Sequence, residues 1–164
     1  MANGYFEKML RVNLSTGEMK VEVLDKEIAK KFIGGRGLGT KILYDEGVAA
    51  CEPLSADNKL VYITGPLTGA GAPSSGRYMV VTKSPLTGMI ACSNSGGIWG
   101  AKLKYAGWDA IIVEGEAPEW CYLNIEDDKF ELLDAREYLG MFSEELDEKL
   151  KEKHGKDASV LSIG

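Results

Sequence analysis

The chain has 164 residues, of which 45% are hydrophobic and 27% charged, and its net charge is −6. This composition is typical of a folded globular domain and excludes a collagen-like or disordered chain. No apolar run approaches the roughly 20 residues that span a bilayer, and the first residues lack the apolar core of a secretory signal. We therefore predict a cytoplasmic protein with no membrane partner, folded as one domain over residues 1–164.

Alternating apolar residues predict two strands at the start of the chain, over residues 5–14 and 18–24, with a hairpin turn between them. Asp25 is a suitable N-cap for a helix that would end at Gly34, and a second short helix is predicted over residues 40–45. Six further strands are predicted over residues 60–64, 77–83, 89–92, 109–114, 120–125 and 130–133.

The remaining predicted elements are two helices and a terminal strand. One helix is expected over residues 99–105, and a second begins at a capping Ser143 with carboxylates in its first turn and lysines in its last. Residues 158–164 resemble a buried strand with no turn after it. From that pattern we expect the chain to be truncated at its C-terminal end.

Charge and glycine are both distributed unevenly. Residues 58–108 carry five basic side chains and no carboxylate, whereas residues 109–164 carry 16 acidic and six basic side chains. Fourteen of the 20 glycines lie between Gly34 and Gly107. Exposed main-chain N–H groups without a competing carboxylate favour an anion site, but a loop-rich β domain full of turns would have the same composition. Five cations without interleaved aromatic residues do not indicate nucleic-acid binding.

Cysteine and histidine do not suggest a metal centre. Cys51, Cys92 and Cys121 are far apart in the sequence and have no Cys-x-x-Cys spacing, so we interpret them as buried structural thiols. The single histidine, His154, lies at the lysine-rich end of a predicted helix and is poorly placed as a catalytic base. The glycine-rich segment at residues 34–41 fails the P-loop pattern, because Thr40 precedes Lys41, and is interpreted as a connector between helices.

Two small-residue segments are the best candidates for ligand binding. The pentapeptide Gly-Pro-Leu-Thr-Gly at residues 65–69 is echoed by Ser-Pro-Leu-Thr-Gly at residues 84–88, and each is followed by a serine- and glycine-rich stretch. Arg77 offers a planar fork for phosphate, and Asn94 offers a neutral oxygen to a cation such as Mg²⁺. The same residues also suit tight β-turns, and Arg77 could instead pair with a carboxylate of the acidic C-terminal third.

The sequence resembles the N-terminal domain of the tungsten-dependent aldehyde ferredoxin oxidoreductases. The motifs that carry the resemblance occur in the family's order along nearly the whole chain, and several of them are long. They are Gly-Tyr-Phe-Glu-Lys-Met-Leu-Arg-Val-Asn-Leu-Ser-Thr-Gly-Glu from Gly4, Ile-Gly-Gly-Arg-Gly-Leu-Gly from Ile33, Thr-Gly-Pro-Leu-Thr-Gly from Thr64, Ser-Gly-Arg-Tyr from Ser75, Thr-Lys-Ser-Pro-Leu-Thr-Gly from Thr82, Ser-Asn-Ser-Gly-Gly from Ser93 and Lys-Tyr-Ala-Gly-Trp-Asp-Ala from Lys104.

The resemblance implies an α+β, strand-rich fold of two β-sheets with a few short helices. In that family the domain forms the base under a tungsten or molybdenum atom held by two pyranopterins, whose phosphates are bridged by Mg²⁺. By resemblance, the cofactor contacts are Arg77, Asn94 and Gly96, with Asn94 also near the Mg²⁺. Their neighbours Ser95 and Gly97 complete the predicted cofactor-binding set, and no residue is predicted to be catalytic.

The function implied by the resemblance is oxidation of an aldehyde to a carboxylic acid, with ferredoxin as electron acceptor. Family members carry a [4Fe–4S] cluster and the substrate pocket in further domains that this chain lacks, so the isolated chain is predicted to be inactive. The resemblance also allows a homodimer. The alternatives are a standalone, non-catalytic cofactor-binding or scaffolding subunit and a plain interaction domain whose glycines only make turns.

Overall fold

The computed structural model describes residues 4–163, and these contain eight strands and four α-helices. The strands are β1 (Lys8–Asn13), β2 (Met19–Val23), β3 (Lys59–Ile63), β4 (Tyr78–Lys83), β5 (Ile90–Ser95), β6 (Ala110–Glu114), β7 (Cys121–Glu126) and β8 (Lys129–Asp134). The helices are α1 (Lys26–Phe32), α2 (Gly35–Asp45), α3 (Trp99–Tyr105) and α4 (Ser143–His154), with short 3₁₀ turns at Val48–Ala50 and Arg136–Tyr138.

Six of the strands form one mixed sheet in the order β2-β1-β6-β3-β4-β5, and β7 and β8 form a separate antiparallel pair. Within the large sheet only β1 and β6 run parallel, and the other neighbours are antiparallel. The predicted α+β class with two β-sheets and short helices is confirmed. Two compact units are present, Met1–Pro118 with the large sheet and Glu119–Gly164 with the strand pair. None of the described helices has the length and apolar character needed to cross a membrane.

The large sheet is covered by a helix on each face because its central strands are apolar on both sides. On one face Val61, Ile63 and Val81 are fully buried in a core that includes Leu38 and Leu43 of α2. On the other face the ring of Trp99 in α3 packs at a tilt against two tyrosines, with its centroid 4.6 Å from that of Tyr78 and 5.9 Å from that of Tyr62. The sheet unit therefore has the two-sided core of a layered α+β domain.

Helix α1 begins as the sequence predicted but ends differently. Asp25 caps α1 as predicted, accepting a 2.8 Å hydrogen bond from the Ile28 N–H. The helix ends at Phe32, before the predicted end at Gly34, because the next residue, Ile33, adopts φ 67° and ψ −64° and the Gly34 N–H donates to the Phe32 carbonyl at 2.8 Å. This is a γ-turn, a rare conformation for an isoleucine.

Helix α2 begins at Gly35, five residues earlier than the predicted start at residue 40. The glycine at position 39 lets this helix pack closely against the sheet. A Cβ atom added to Gly39 would lie 2.7 Å from Val81 Cγ2 and 3.2 Å from Ile63 Cγ2. The glycine-rich segment is thus a helix start pressed against β3 and β4, and not the loop between helices that the sequence suggested.

Several other features differ from what the sequence predicted. Helix α3 has the predicted bounds, whereas β5 continues to Ser95 instead of stopping at residue 92. Helix α4 is capped at Phe142, with no side-chain cap from the predicted Ser143. No strand is present within residues 158–163, and Gly164 lies outside the described residues. Cys51, Cys92 and Cys121 are free thiols and half-buried rather than buried.

A network of charges joins the strands at one side of the sheet unit. Arg11 donates to Glu22 at 2.8 Å, to Glu46 at 2.6 Å and to Glu114 at 2.9 Å, and Lys59 binds both Glu46 and Glu114. Burial raises the pKa of the Glu46 carboxyl, but the hydrogen bonds from Arg11 and Lys59 outweigh it, so the net pKa lies below its ordinary value. The pKa of Glu114 is lowered by the same balance.

Replacing Glu46 with glutamine is expected to lower the free energy of unfolding at pH 7 by about 1–3 kcal/mol, because charge-assisted hydrogen bonds are lost. A carboxyl whose folded pKa is lowered contributes stability above its unfolded pKa, about 4.3, and loses it as the pH falls through the folded value. The wild type and Glu46→Gln should therefore begin to converge in urea unfolding as the pH falls below about 4, and become equal only below the folded pKa of Glu46. The exposed Glu18→Gln should match the wild type at both pH values, and a Glu46→Gln deficit that persists at low pH would argue against the network.

Candidate functional site

The β4–β5 hairpin brings the two predicted ligand-binding segments together. In its register Tyr78 lies opposite Ser95 and Met79 lies opposite Asn94. Beyond the last strand pair, a Cβ atom added to Gly76 would lie 2.3 Å from the Gly97 carbonyl oxygen, so the two main chains remain in close contact. Residues 75–77 and 93–97 therefore lie side by side, and we call them the hairpin end.

Arg77 and Asn94 form the centre of the hairpin end. The Arg77 guanidinium donates from Nη1 to Asn94 Oδ1, and both side chains are exposed. The ion pairs formed within the described part of the chain do not include Arg77. A guanidinium has five N–H donors, so a bond to one neutral amide leaves most of its donor capacity for another acceptor. The alternative that Arg77 is a structural ion-pair partner is not supported.

The other predicted residues lie on one open edge of the sheet. Ser95 ends β5, which is one of the two edge strands of the six-stranded sheet, and Gly96 and Gly97 follow it, all three exposed. Nothing lies within 4 Å of a Cβ atom added to Gly96, so a bound group could approach this main chain closely. Gly97 has φ 76°, a conformation that favours glycine. The serine and asparagine of this segment are thus on a strand, not in the tight turn that was the alternative interpretation.

The five basic side chains of residues 58–108, the segment without a carboxylate, do not form one continuous cationic surface. Lys59 is bound by Glu46 and Glu114, and Lys104 by Asp109, all of them acids from outside the window. The Lys83 ammonium donates to the carbonyl oxygens of residues 49 and 51 at 2.7 and 2.6 Å. Charge counting within residues 58–108 missed these partners because all of them lie outside that segment. Within the hairpin, the exposed cation free of a carboxylate is Arg77.

An open cleft of about 470 Å³ lies elsewhere in the sheet unit. Its lining includes Glu46, Asp57 and Glu114, together with Lys59 and uncharged residues. These carboxylates make the cleft unfavourable for an anion, and its cation already binds two of them. Among residues 4–163, no group of three or more histidine, cysteine, aspartate or glutamate side chains is placed to hold a metal ion. We therefore assign the candidate site to the hairpin end and not to this cleft.

Comparison with known proteins shows the family to which this chain belongs. Residues 9–164 match the family model described as the N-terminal domain of aldehyde ferredoxin oxidoreductase. The chain belongs to the aldehyde ferredoxin oxidoreductase family. The resemblance found in the sequence motifs is thus confirmed, and the family domain occupies almost the whole of this chain.

Relatives of the family domain are similar over nearly its full length. The tungsten-containing aldehyde ferredoxin oxidoreductase of Pyrococcus horikoshii is 52% identical over 162 residues, and that of Pyrococcus furiosus is 48% identical over the same length. In each case the match covers 98% of this chain but 27% of the relative. The WOR-like subunit of an aliphatic sulfonate oxidoreductase of Pyrococcus furiosus is 41% identical, over 92% of this chain and 24% of that protein.

A solved structure shares the fold of the family domain. The active site complex BamBC of benzoyl coenzyme A reductase, with bound 1,5-dienoyl-CoA, matches with a TM-score of 0.90 and 36% sequence identity. The match covers 94% of this chain and 24% of that chain. This chain therefore spans about a quarter of the length of the proteins it resembles.

Proposed function

We propose that this chain is the N-terminal, cofactor-binding domain of a tungsten or molybdenum oxidoreductase that oxidises aldehydes to carboxylic acids, with ferredoxin as electron acceptor. In this proposal Arg77, Asn94, Ser95, Gly96 and Gly97 hold the anionic part of a pyranopterin cofactor. The observation that supports it is the exposed Arg77–Asn94 pair at the hairpin end, where the cation has no carboxylate partner among the described residues.

The donor chemistry of the hairpin end fits a phosphate group. Arg77 presents a planar fork that suits two phosphate oxygens at once. Side chains alternate along β5, so the Ser93 and Ser95 hydroxyls lie on the face of the strand opposite to Asn94. Gly96 leaves its main chain open to close approach. Because the site offers donors and one positive charge, it is complementary to an anion and unsuited to a basic ligand.

In the proposed enzyme, the bound metal–pyranopterin group would supply the two-electron redox chemistry, and this chain would bind and orient it. Arg77 neutralises phosphate charge, and its bond to Asn94 limits the directions in which the guanidinium can point. Asn94 Oδ1 accepts from Arg77, so a Mg²⁺ ion at Asn94 would have to share that oxygen. No side chain of the hairpin end is a proton acceptor for the oxidation step, which leaves proton transfer to other parts of the enzyme.

The substrate is a separate part of the proposal. Relatives that match this domain bear names with different substrates, an aldehyde, an aliphatic sulfonate and benzoyl coenzyme A. A domain shared by such proteins is expected to serve the cofactor and not substrate choice. The iron–sulfur cluster, the substrate pocket and the ferredoxin surface are accordingly proposed for the remainder of a longer enzyme.

Arg77→Ala is expected to weaken binding of pyranopterin monophosphate about tenfold to hundredfold, because a charge-assisted hydrogen-bonded contact to phosphate is worth roughly 1.5–3 kcal/mol. Anaerobic isothermal titration of the chain with the metal-free pterin measures the effect. The free energy of unfolding should hardly change, since Arg77 is exposed.

Two controls make the Arg77 result specific. Arg136→Ala removes an arginine whose partner is Asp134 in the second compact unit, and should leave pterin binding unchanged. A dephosphorylated pterin should bind the wild type and Arg77→Ala with equal affinity. A wild type that does not bind, or an Arg77→Ala variant that binds as tightly as the wild type, contradicts the proposed site.

A further inference from the structure

The two Pro-Leu-Thr-Gly copies place their threonines in different surroundings. In the second copy Thr87 is exposed, and its hydroxyl accepts only a local hydrogen bond, 3.3 Å from the Met89 N–H. In the first copy Thr68 is buried, with 9% of its surface exposed, and its hydroxyl reaches two residues at separate points of the chain. From the repeated motif alone, both threonines would be interpreted as turn residues.

The Thr68 hydroxyl closes the loop that leads into β4. It accepts from the Gly65 N–H at 3.0 Å and donates to the Arg77 carbonyl oxygen at 3.0 Å. A second closing bond runs from the Gly69 N–H to the Ser75 carbonyl at 2.8 Å. The start of the loop is thereby fixed to its end, while residues 71–74 between these points are exposed.

Arg77 depends on this loop for its position because it lies just outside the strand ladder. The pairing of β4 with β5 begins at Tyr78 opposite Ser95, one residue after Arg77. The Thr68 bond to the Arg77 carbonyl therefore holds the main chain from which the guanidinium extends. We infer that Thr68 is a positioning residue for Arg77, and this inference rests on the proposed function of the hairpin end.

The matched test compares Thr68→Val, which keeps the shape and removes the hydroxyl, with Thr87→Val in the other copy. Titration with pyranopterin monophosphate should show about three- to tenfold weaker binding for Thr68→Val, because the hydrogen bond that holds the Arg77 carbonyl is lost together with the bond from the Gly65 N–H. Thr87→Val and the conservative Thr68→Ser should bind like the wild type. If Thr68→Val does not fold, Thr68→Cys, whose thiol is a weak donor, provides the same comparison.

A double-variant cycle shows whether Thr68 acts through Arg77. Adding Thr68→Val to Arg77→Ala should cause no further loss of binding, since the positioned group is already absent. The inference is overturned if Thr68→Val weakens binding equally in the wild type and in Arg77→Ala, or if Thr68→Val alone binds like the wild type.

A ligand-free measurement separates this inference from the proposed function. The NMR order parameter of the Arg77 Nε–H bond should fall in Thr68→Val and stay unchanged in Thr87→Val. If the wild type fails to bind pterin but this order parameter falls, the proposed function is wrong and the positioning role stands. An unchanged order parameter in Thr68→Val overturns the positioning role whatever the binding result.

Discussion

Replacing Lys104 with methionine is expected to lower the free energy of unfolding by about 3–5 kcal/mol, because it leaves a buried carboxylate without its counter-charge. Lys104 and Asp109 form an ion pair in which each side chain is only 4% exposed. The Lys104 ammonium also donates to the Gly4 carbonyl at 2.7 Å, and Asp109 Oδ2 accepts from the Glu7 N–H at 2.7 Å. Methionine retains most of the packing volume and removes the charge.

Chemical denaturation at pH 7 measures the effect, and two variants test its cause. Lys102→Met, on the same helix but only half-buried, should change stability by less than about 0.5 kcal/mol. Lys104→Met combined with Asp109→Asn should recover part of the loss, since it removes the unpaired charge as well. Equal stability of Lys104→Met and Lys102→Met would show that the ion pair contributes nothing.

Replacing Gly76 with alanine is expected to weaken pyranopterin monophosphate binding by more than tenfold and to lower the free energy of unfolding by about 1–3 kcal/mol. The new Cβ atom would lie 2.3 Å from the Gly97 carbonyl oxygen. A clash with a main-chain atom cannot be relieved by a rotamer change, so the two chains must separate. That separation would displace Arg77, which follows Gly76 directly, relative to Asn94.

The matched variant Gly96→Ala distinguishes the fold from the ligand. No atom lies within 4 Å of a Cβ atom at position 96, so stability should stay within about 0.5 kcal/mol of the wild type. Binding should nevertheless fall if the phosphate approaches the Gly96 main chain. Titration and denaturation of both variants give the comparison, and a Gly76→Ala protein with wild-type stability and affinity would contradict the close contact.

Local signals in the sequence predicted most elements, and the failures occurred where packing outweighed local preference. Asp25 caps α1 through its own hydrogen bond, so the sequence was sufficient there. Helix α2 was predicted too short because glycine disfavours a helix in isolation. At Gly39 the gain from lying against Val81 is a tertiary effect that no local pattern records.

The apolar residues near the end of the chain were predicted to form a strand, but apolar character alone is not enough to form one. A strand requires a partner, and the apolar residues at 158–163 have no ladder among the described residues. Helix α4 starts after Phe142 without a side-chain cap, although the serine at position 143 was predicted to cap it.

The candidate site was partly predictable for a topological reason. Its two segments flank adjacent antiparallel strands, and a hairpin necessarily brings such segments together. The hydrogen bond from Arg77 to Asn94 depends on side-chain geometry, and Lys59 and Lys104 are paired with Glu114 and Asp109, acids that lie outside residues 58–108. Neither can be obtained from spacing along the chain.

The parallel pairing of β1 with β6 has a consequence for how the chain folds. Met9 aligns with Ala110, so about 100 residues must be synthesised before β1 finds its second neighbour. At roughly 5–20 residues per second, ribosomal synthesis imposes a delay of several seconds on this step. Until β6 emerges, the β1–β2 hairpin and the three-stranded β3–β4–β5 meander can form only separately, since β6 lies between them. The central strand is therefore added late, and high contact order should make sheet closure the slow step of folding.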